Sequence, residues 1–194
     1  QSSVNDNFVR NFIAPTADYT QVVQMTPGVF AYTPNGVGLG DAKVTLRGLS
    51  DSNTVFSFDG IPFNDTNGVS HHSWVFFPSQ FIGGATVDRS PGGASTIGQA
   101  TFGGSVDLKS RILEADPRTT VSATAASWGT RVVGIERETG NFGAEGRSNL
   151  LINAHKMTSD GYQTYNIQDR EALSAKYQFV LDSNTTITAY ADFL

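Results

Sequence analysis

The chain has 194 residues, a net charge of −5 at pH 7, no cysteine and 16% charged residues. The acidic balance argues against a nucleic-acid-binding protein, which needs basic stripes. The lack of cysteine excludes disulfides, a thiolate zinc site and a catalytic cysteine. No apolar run reaches the roughly 18 residues of a spanning helix, which leaves spanning by strands open.

The first 112 residues are predicted to form a small α+β unit. Residues 1–15 are polar and are expected to be an irregular N-terminal extension. Residues 16–25 are expected to form a short helix that begins at Thr16 as its cap and ends before Pro27-Gly28. Three of its residues lie on one apolar face: Tyr19, Val22 and Val23.

Short strands joined by long loops are predicted after this helix. The strand segments are GVFAY, KVTLRG, TVFSFDG, FIGGATVDRS and SVDLKSR. Two long polar loops, residues 32–40 and 64–77, carry aromatic and amide side chains. Asp59-Gly60 has the composition of a tight turn after the third segment.

Strict alternation of apolar and polar residues marks the second half of the chain. It is clearest over residues 171–181, where Leu173, Ala175, Tyr177, Phe179 and Leu181 share one face, and over 185–193, where Ile187, Ala189, Ala191 and Phe193 do so. Weaker strands of similar length are predicted at 119–127, 131–138 and 148–157. Strands of about 9–11 residues with this alternation are typical of a transmembrane barrel.

Alternation by itself favours a soluble sandwich or meander over a barrel, since soluble antiparallel sheets commonly have one face in water. The short turn DSN between the last two strands and the long connection TSDGYQTYNIQD fit an outer-membrane barrel better. The nine-residue connection TGNFGAEGR fits it less well. Five strands cannot close a barrel, so under this reading the chain is a fragment of one.

Five motifs in the first half occur in a fixed order: MTPGV, VTLRG, VFSFDGIPF, VDRSPGGASTIG and FGGSVDLKSR. Together they resemble the plug domain of TonB-dependent outer-membrane transporters, over about residues 12–112. Ser90 and Ile97 depart from the family pattern, which usually has Gly and Tyr there. The resemblance implies a plug domain at 16–112 and, at 119–194, about the first five strands of a barrel of 22 strands.

The resemblance also implies a function, which is the uptake of a scarce bulky nutrient across the bacterial outer membrane. The family's substrates include ferric siderophores, cobalamin and carbohydrates. The implied partners are this substrate, outer-membrane lipid and a TonB-type energy-transducing protein of the inner membrane. The alternative is a soluble β-rich binding or adhesion module without transport.

Loops on a rigid scaffold are where binding residues usually lie, so the two long loops supply the substrate-binding candidates. These are Tyr32, Asn35, His71, His72 and Trp74. Arg47 and Arg89 match the two arginines that, in the family, pair with glutamates of the barrel wall and hold the plug. Four glycines are expected to serve backbone geometry: Gly48, Gly60, Gly103 and Gly104.

No catalytic, metal or cofactor site is predicted, and the protein is not expected to be an enzyme. His71 and His72 are adjacent, so on an extended chain they point to opposite sides and rarely bind one ion together. GVGLG lacks the dinucleotide-binding spacing, and PGGASTIG lacks the Lys-Ser/Thr ending of a phosphate loop. Asp51, Asp59 and Asp65 lie at turns, where Asp is favoured for local hydrogen bonds.

Overall fold

The computed structural model describes residues 1–65, 71, 77–92 and 101–194, without the side chain of Thr101. The chain divides into two compact units, Gln1–Arg111 and Ile112–Leu194. Within the described residues, no helix is long and apolar enough to cross a membrane.

The described residues of the first unit form two α-helices and two sheets. The helices are α1 (Asp6–Phe12) and α2 (Tyr19–Gln24). The strands are β1 (Ser2–Val4), β2 (Val29–Tyr32), β3 (Lys43–Leu46), β4 (Leu49–Ser50), β5 (Thr54–Phe58), β6 (Ile61–Pro62), β7 (Ile82–Asp88) and β8 (Gly104–Ser110). One sheet has the order β1-β7-β8-β5-β6, with β5 and β8 parallel, and the other has the order β2-β3-β4.

The prediction that residues 1–15 are irregular is wrong. Ser2 and Val4 pair with Val87 and Ala85, so β1 is an edge strand of the larger sheet. Asn5 then caps α1, because its side-chain oxygen accepts a hydrogen bond from the Phe8 N–H at 2.9 Å. The strand has three residues, too few for alternation to reveal it.

The second helix begins three residues later than predicted, and its cap is Asp18 instead of Thr16. Asp18 Oδ1 accepts from the Thr20 N–H at 2.8 Å, and Gln21 Oε1 accepts from the Asp18 N–H at 3.0 Å. This reciprocal pair is a capping box. The predicted apolar face is confirmed, since Tyr19, Val22 and Val23 are all buried.

Two hairpins in this unit use the same tight turn. β3 and β4 are joined by Arg47-Gly48, and β5 and β6 are joined by Asp59-Gly60. Both residues of each turn have positive φ, at 52° and 82° in the first and 49° and 82° in the second. These values identify type I′ turns, whose twist matches that of the flanking strands.

The second unit is one antiparallel meander. Its strands are β9 (Arg118–Ala125), β10 (Arg131–Phe142), β11 (Ser148–Ser159), β12 (Gln168–Val180) and β13 (Thr186–Phe193). Each strand pairs with the next along the chain. The predicted architecture, an α+β unit followed by antiparallel strands, is confirmed, although β12 begins earlier and β10 ends later than expected.

The strand register of this meander assembles one apolar face. Leu173 lies opposite Phe193, Ala175 opposite Ala191, and Phe179 opposite Ile187. These side chains remain at the surface, where Phe193 is 68% exposed and Ile187 is 52% exposed. Soluble monomers rarely expose a contiguous apolar face of this extent. The meander therefore has the outward face that a lipid-facing sheet requires.

Candidate functional site

Two arginines of the first unit converge on one glycine. A Cβ placed on Gly28 would lie 3.6 Å from Arg47 Cγ and 3.7 Å from Arg89 Cδ, so the two alkyl stems both cover Gly28. The Arg47 N–H also donates to the Gly28 carbonyl at 2.8 Å. The structure thus brings together the two arginines that the sequence motifs place 42 positions apart.

Arg47 is held in a backbone conformation that arginine disfavours. Its φ is 52°, in the left-handed region, which costs a residue with a Cβ roughly 1 kcal/mol. The first position of a type I′ turn favours Asn, Asp or Gly. The exposed arginine is therefore not explained by the needs of the turn, and its side chain is a candidate for function.

Arg89 connects the end of β7 to the beginning of the chain. Its Nη1 donates to Ser2 Oγ at 2.9 Å and to the Pro27 carbonyl at 3.0 Å. Within the described residues of the first unit, no carboxylate lies within ion-pair distance of Arg47 or Arg89. The stems of two cationic side chains thus meet over Gly28, and the nearest acidic neighbour in the sequence, Asp88, has a pKa that is lowered first by hydrogen bonds from Ser90 and to a smaller degree by the Arg89 charge.

Of the four glycines predicted to serve backbone geometry, Gly48 follows Arg47 directly and Gly104 lies against Asp88 and Arg89. Gly48 and Gly60 occupy the second position of the two type I′ turns. A Cβ on Gly103 would lie 2.8 Å from the Asn53 carbonyl oxygen, and one on Gly104 would lie 2.2 Å from the Asp88 carbonyl oxygen. The second of these contacts is the tighter one, and it joins β8 to the residue that precedes Arg89.

His71 lies inside the first unit and not at a free loop apex, so the expectation that its ring is presented to a substrate does not fit the structure. Its side chain is 2% exposed. The ring lies 4.4 Å from the Phe56 ring and 5.6 Å from the Phe63 ring, between centroids. Nε2 donates to the Phe63 carbonyl at 3.0 Å.

The backbone of His71 is also anchored at both of its polar groups. Its N–H donates to Asp51 Oδ2 at 3.1 Å, and its carbonyl accepts from Lys43 Nζ at 3.0 Å. The ring atom Nδ1 lies 3.7 Å from the same Asp51 oxygen. Asp51, Lys43 and His71 therefore form an anchor that ties residue 71 to the sheet.

Burial of Asp51 raises its pKa, but the hydrogen bonds with His71 and the nearby Lys43 charge outweigh this and hold the pKa below its ordinary value. A carboxyl whose pKa is lower in the folded than in the unfolded state stabilises the fold above its unfolded pKa. That stabilisation is lost as the pH falls through the folded pKa.

We expect the anchor at His71 to loosen at acid pH, beginning below about pH 4, where an unfolded Asp titrates. Asp51→Asn should remove this part of the acid sensitivity and weaken the anchor at neutral pH. Hydrogen exchange of the His71 amide between pH 3 and pH 7 measures both effects. Asp116→Asn, at an exposed site in the second unit, is the control. An unchanged pH profile in Asp51→Asn would contradict the assignment.

The other substrate-binding candidates occupy different surroundings. Tyr32 is 60% exposed at the end of β2. Asn35 is 2% exposed and its Nδ2 donates to the Leu39 carbonyl at 2.5 Å, so it closes its own loop and is not presented at the surface as expected. His72 and Trp74 lie outside the described residues.

A buried ion pair that sequence reasoning missed closes the first unit. Arg111 Nη1 lies 3.1 Å from Asp6 Oδ1, and both side chains are nearly buried. Arg111 also donates from Nε to the Gln80 carbonyl at 2.9 Å and from Nη2 to the Ser79 carbonyl at 3.3 Å. The only sequence signal was a basic residue at the end of SVDLKSR, with nothing to indicate a partner 105 positions earlier.

A sequence family described as "TonB-dependent Receptor Plug Domain" matches residues 2–105, which is more than half of the chain. The chain belongs to the TonB-dependent receptor family. The match begins at β1, the strand that the sequence had not indicated. Receptors of this family are outer-membrane proteins, which assigns the chain to the outer membrane of a Gram-negative bacterium. No curated protein sequence matches the chain.

Solved structures of TonB-dependent receptors share the fold along nearly the whole chain. FpvA of Pseudomonas aeruginosa, bound to pyoverdine, has a TM-score of 0.80 at 18% identity over 98% of this chain and 24% of its own. The alcaligin receptor FauA of Bordetella pertussis has a TM-score of 0.75 at 15% identity over 98% and 31%. The copper transporter OprC has a TM-score of 0.72 at 17% identity over 98% and 30%.

The chain therefore spans about a quarter to a third of the length of these receptors. At these identities the likeness concerns the fold of a TonB-dependent receptor. Within the described residues, no group of three or more His, Cys, Asp or Glu side chains is arranged to hold a metal ion.

Proposed function

We propose that this chain forms the plug and the first wall strands of a transporter that brings a scarce, bulky nutrient across the outer membrane. A TonB-type protein of the inner membrane supplies the energy, and the plug blocks the barrel until it is rearranged. No catalytic step is part of this proposal. The observation that carries it is the pair of arginines over Gly28, which lack a carboxylate partner among the described residues of their own unit.

The arginine pair acts as the latch of the plug in this proposal. A guanidinium that is moved from water into a barrel lumen is costly without a carboxylate partner. Glutamates of the barrel wall, outside this chain, are the partners we propose for Arg47 and Arg89. Charge pairs of this kind hold the plug firmly but separate without breaking an apolar core, which suits a plug that must move and return.

The class of cargo is proposed to be a bulky chelate or a comparably large nutrient, namely a ferric siderophore, cobalamin, a metal complex or a carbohydrate. Two of the similar structures are named for pyoverdine and alcaligin and one for copper. We propose that Tyr32, with its exposed ring, contacts the cargo directly, together with His72 and Trp74. His71 and Asn35 are proposed to shape the loops that carry them.

Replacing Arg47 by asparagine should remove the latch side chain and leave the turn intact. Asparagine is favoured at this turn position, so we expect the hairpin to gain up to about 1 kcal/mol. In the full-length protein, the double variant Arg47→Asn, Arg89→Gln should lose most of its nutrient uptake and admit large antibiotics that the native plug excludes. Uptake of labelled nutrient and antibiotic sensitivity measure these effects.

Lys109→Gln is the matched control, because it removes an exposed cation of the same unit that pairs with Asp107. We expect it to leave both uptake and antibiotic sensitivity unchanged. Equal behaviour of the control and the double variant would contradict the latch.

Uptake itself tests the proposed function. A strain that lacks the gene is compared with its parent for growth on ferric siderophores, cobalamin, copper complexes and oligosaccharides as limiting nutrients. One of these nutrients should require both the gene and the TonB-type protein. Uptake that persists after loss of the energy-transducing protein would refute energised transport.

A further inference from the structure

The turn between β9 and β10 places an aromatic residue where the backbone disfavours it. Trp128 and Gly129 have φ of 57° and 64°, and the Thr130 N–H donates to the Ser127 carbonyl at 3.3 Å. This is again a type I′ geometry, which favours Asn, Asp or Gly at its first position. A bulky residue with positive φ is rare and indicates a constraint other than the turn itself.

The loop between β11 and β12 enforces this conformation. The Asp160 N–H donates to the Trp128 carbonyl at 2.9 Å, and the hydroxyl groups of Thr130 and Ser159 lie 2.7 Å apart. A Cβ on Gly129 would lie 2.6 Å from Asp160 Oδ2, so the two loops are in direct contact. The strained turn is therefore supported by an adjacent loop built to fit it.

The result of this support is an aromatic corner at the surface. The rings of Trp128 and Tyr162 meet edge to face, with centroids 5.4 Å apart and planes at 65°. Trp128 is 45% exposed and Tyr162 is 66% exposed, so the described residues leave both rings open at the surface. We name these two residues the aromatic corner. Tyr165, further along the same loop, is 97% exposed.

The loop that carries Tyr162 is polar and has few charged residues. Asn166 Nδ2 donates to Gln163 Oε1 at 3.2 Å, and Gln168 Nε2 donates to Asn166 Oδ1 at 2.9 Å, which forms a chain of amides along the loop. Asp160 is the only charged residue of the loop segment 160–168. This composition does not suit an anionic ligand, and the amides do not suit the hydrocarbon of a membrane.

We infer that the aromatic corner binds a carbohydrate. A sugar ring presents an apolar C–H face, which stacks on an aromatic ring, and a rim of hydroxyl groups, which bind amides and loop backbone. Trp and Tyr supply large contact area at low cost in conformational entropy, as they do in other loop-based recognition surfaces. The inference depends on the two loops alone and holds whatever nutrient the protein transports.

The sugar has two possible sources, the glycan of an outer-membrane glycolipid and a free oligosaccharide, and binding measurements separate them. The full-length protein in detergent is titrated with lipopolysaccharide, with the same lipid A stripped of its sugars, and with the released oligosaccharide. We expect binding that requires the sugars. Binding of the released oligosaccharide assigns a free-glycan site, and binding of the intact lipopolysaccharide alone assigns a glycolipid site.

Trp128→Asn tests the residue assignment, because asparagine suits the turn and only the indole is lost. We expect it to weaken binding about tenfold, the loss of one well-placed aromatic contact. Tyr162→Ser should have an effect of similar size. Phe142→Ser removes an exposed aromatic residue at the opposite end of β10 and should have no effect.

Retention of heat-modifiable mobility on a gel shows that each variant is folded. Equal affinity of Trp128→Asn and the native protein for every glycan, or equal binding of the sugar-free lipid, would overturn the inference.

Discussion

Arg111→Ala is expected to destabilise the N-terminal part of the plug by about 1–3 kcal/mol, because it removes the more buried of the two guanidinium groups that bind Asp6 and leaves only Arg10. The loss also strands the carbonyls of Ser79 and Gln80, which accept from the same guanidinium. Since Asp6 follows β1 directly and begins α1, the effect should centre on these two elements. Hydrogen exchange of amides 2–12 in the intact protein measures it.

Arg10→Ala is the matched control for Arg111→Ala. Arg10 Nε lies 2.5 Å from Asp6 Oδ2, so it binds the same carboxylate, but from one helical turn away and with a more exposed side chain. Its loss therefore leaves the long-range contact between Arg111 and Asp6 in place. We expect the amides of β1 to exchange much faster in Arg111→Ala and only slightly faster in Arg10→Ala. Similar protection in the two variants would show that Arg111 does not anchor the N-terminus.

The sequence predicted the meander well and the beginning of the chain poorly, and the reason is the range of the interactions involved. Strands β9 to β13 each carry their own alternation and pair with a neighbour in the chain. β1 has three residues and pairs with residues 85–87, so its stability comes from partners that no local pattern reveals.

The same difference between local and long-range interactions separates the parts of the candidate site that the sequence predicted from those that it did not. The motifs around Arg47 and Arg89 identified both arginines, but only the structure shows that they meet over Gly28. His71 was expected at a loop apex because its neighbours in the sequence are polar and aromatic. Its anchor consists of Asp51 and Lys43, which are 20 and 28 positions away. A loop composition does not distinguish a residue that faces outward from one that is drawn into the core.

Three of the turns with type I′ geometry show how a departure from local preference can indicate function. Asp59-Gly60 follows the preference, and Asp59 Oδ2 accepts from Ser110 Oγ at 2.6 Å, which is a structural role. Arg47-Gly48 and Trp128-Gly129 have the same backbone but place a long cation and an indole at the disfavoured position. A turn alone does not require these side chains, and both are exposed. Residues that break the preference of their local backbone conformation are expected at functional positions.

Gly104→Ala should be the most damaging single methyl addition in the latch region. The Cβ would lie 2.2 Å from the Asp88 carbonyl oxygen, 2.9 Å from Leu46 Cδ2 and 3.2 Å from Arg89 Cα, at a φ of 122°. Main-chain atoms cannot move aside as a flexible side chain can, so the end of β7 must shift and carry Arg89 with it. We expect a loss of about 3 kcal/mol or more in the stability of the first unit.

Comparison with Gly48→Ala distinguishes the steric crowding at Gly104 from the backbone strain of a residue with positive φ. Gly48 also has positive φ, at 82°, but a Cβ there would have no atom within 4 Å. Only the conformational penalty of about 1 kcal/mol applies to it. Hydrogen exchange of the β7 and β8 amides in the intact protein compares the two variants. Faster exchange in Gly104→Ala alone, together with impaired uptake, would show that close packing of β8 against Asp88 positions the Arg89 side of the latch. Equal effects of the two substitutions would attribute the role of Gly104 to its backbone conformation instead.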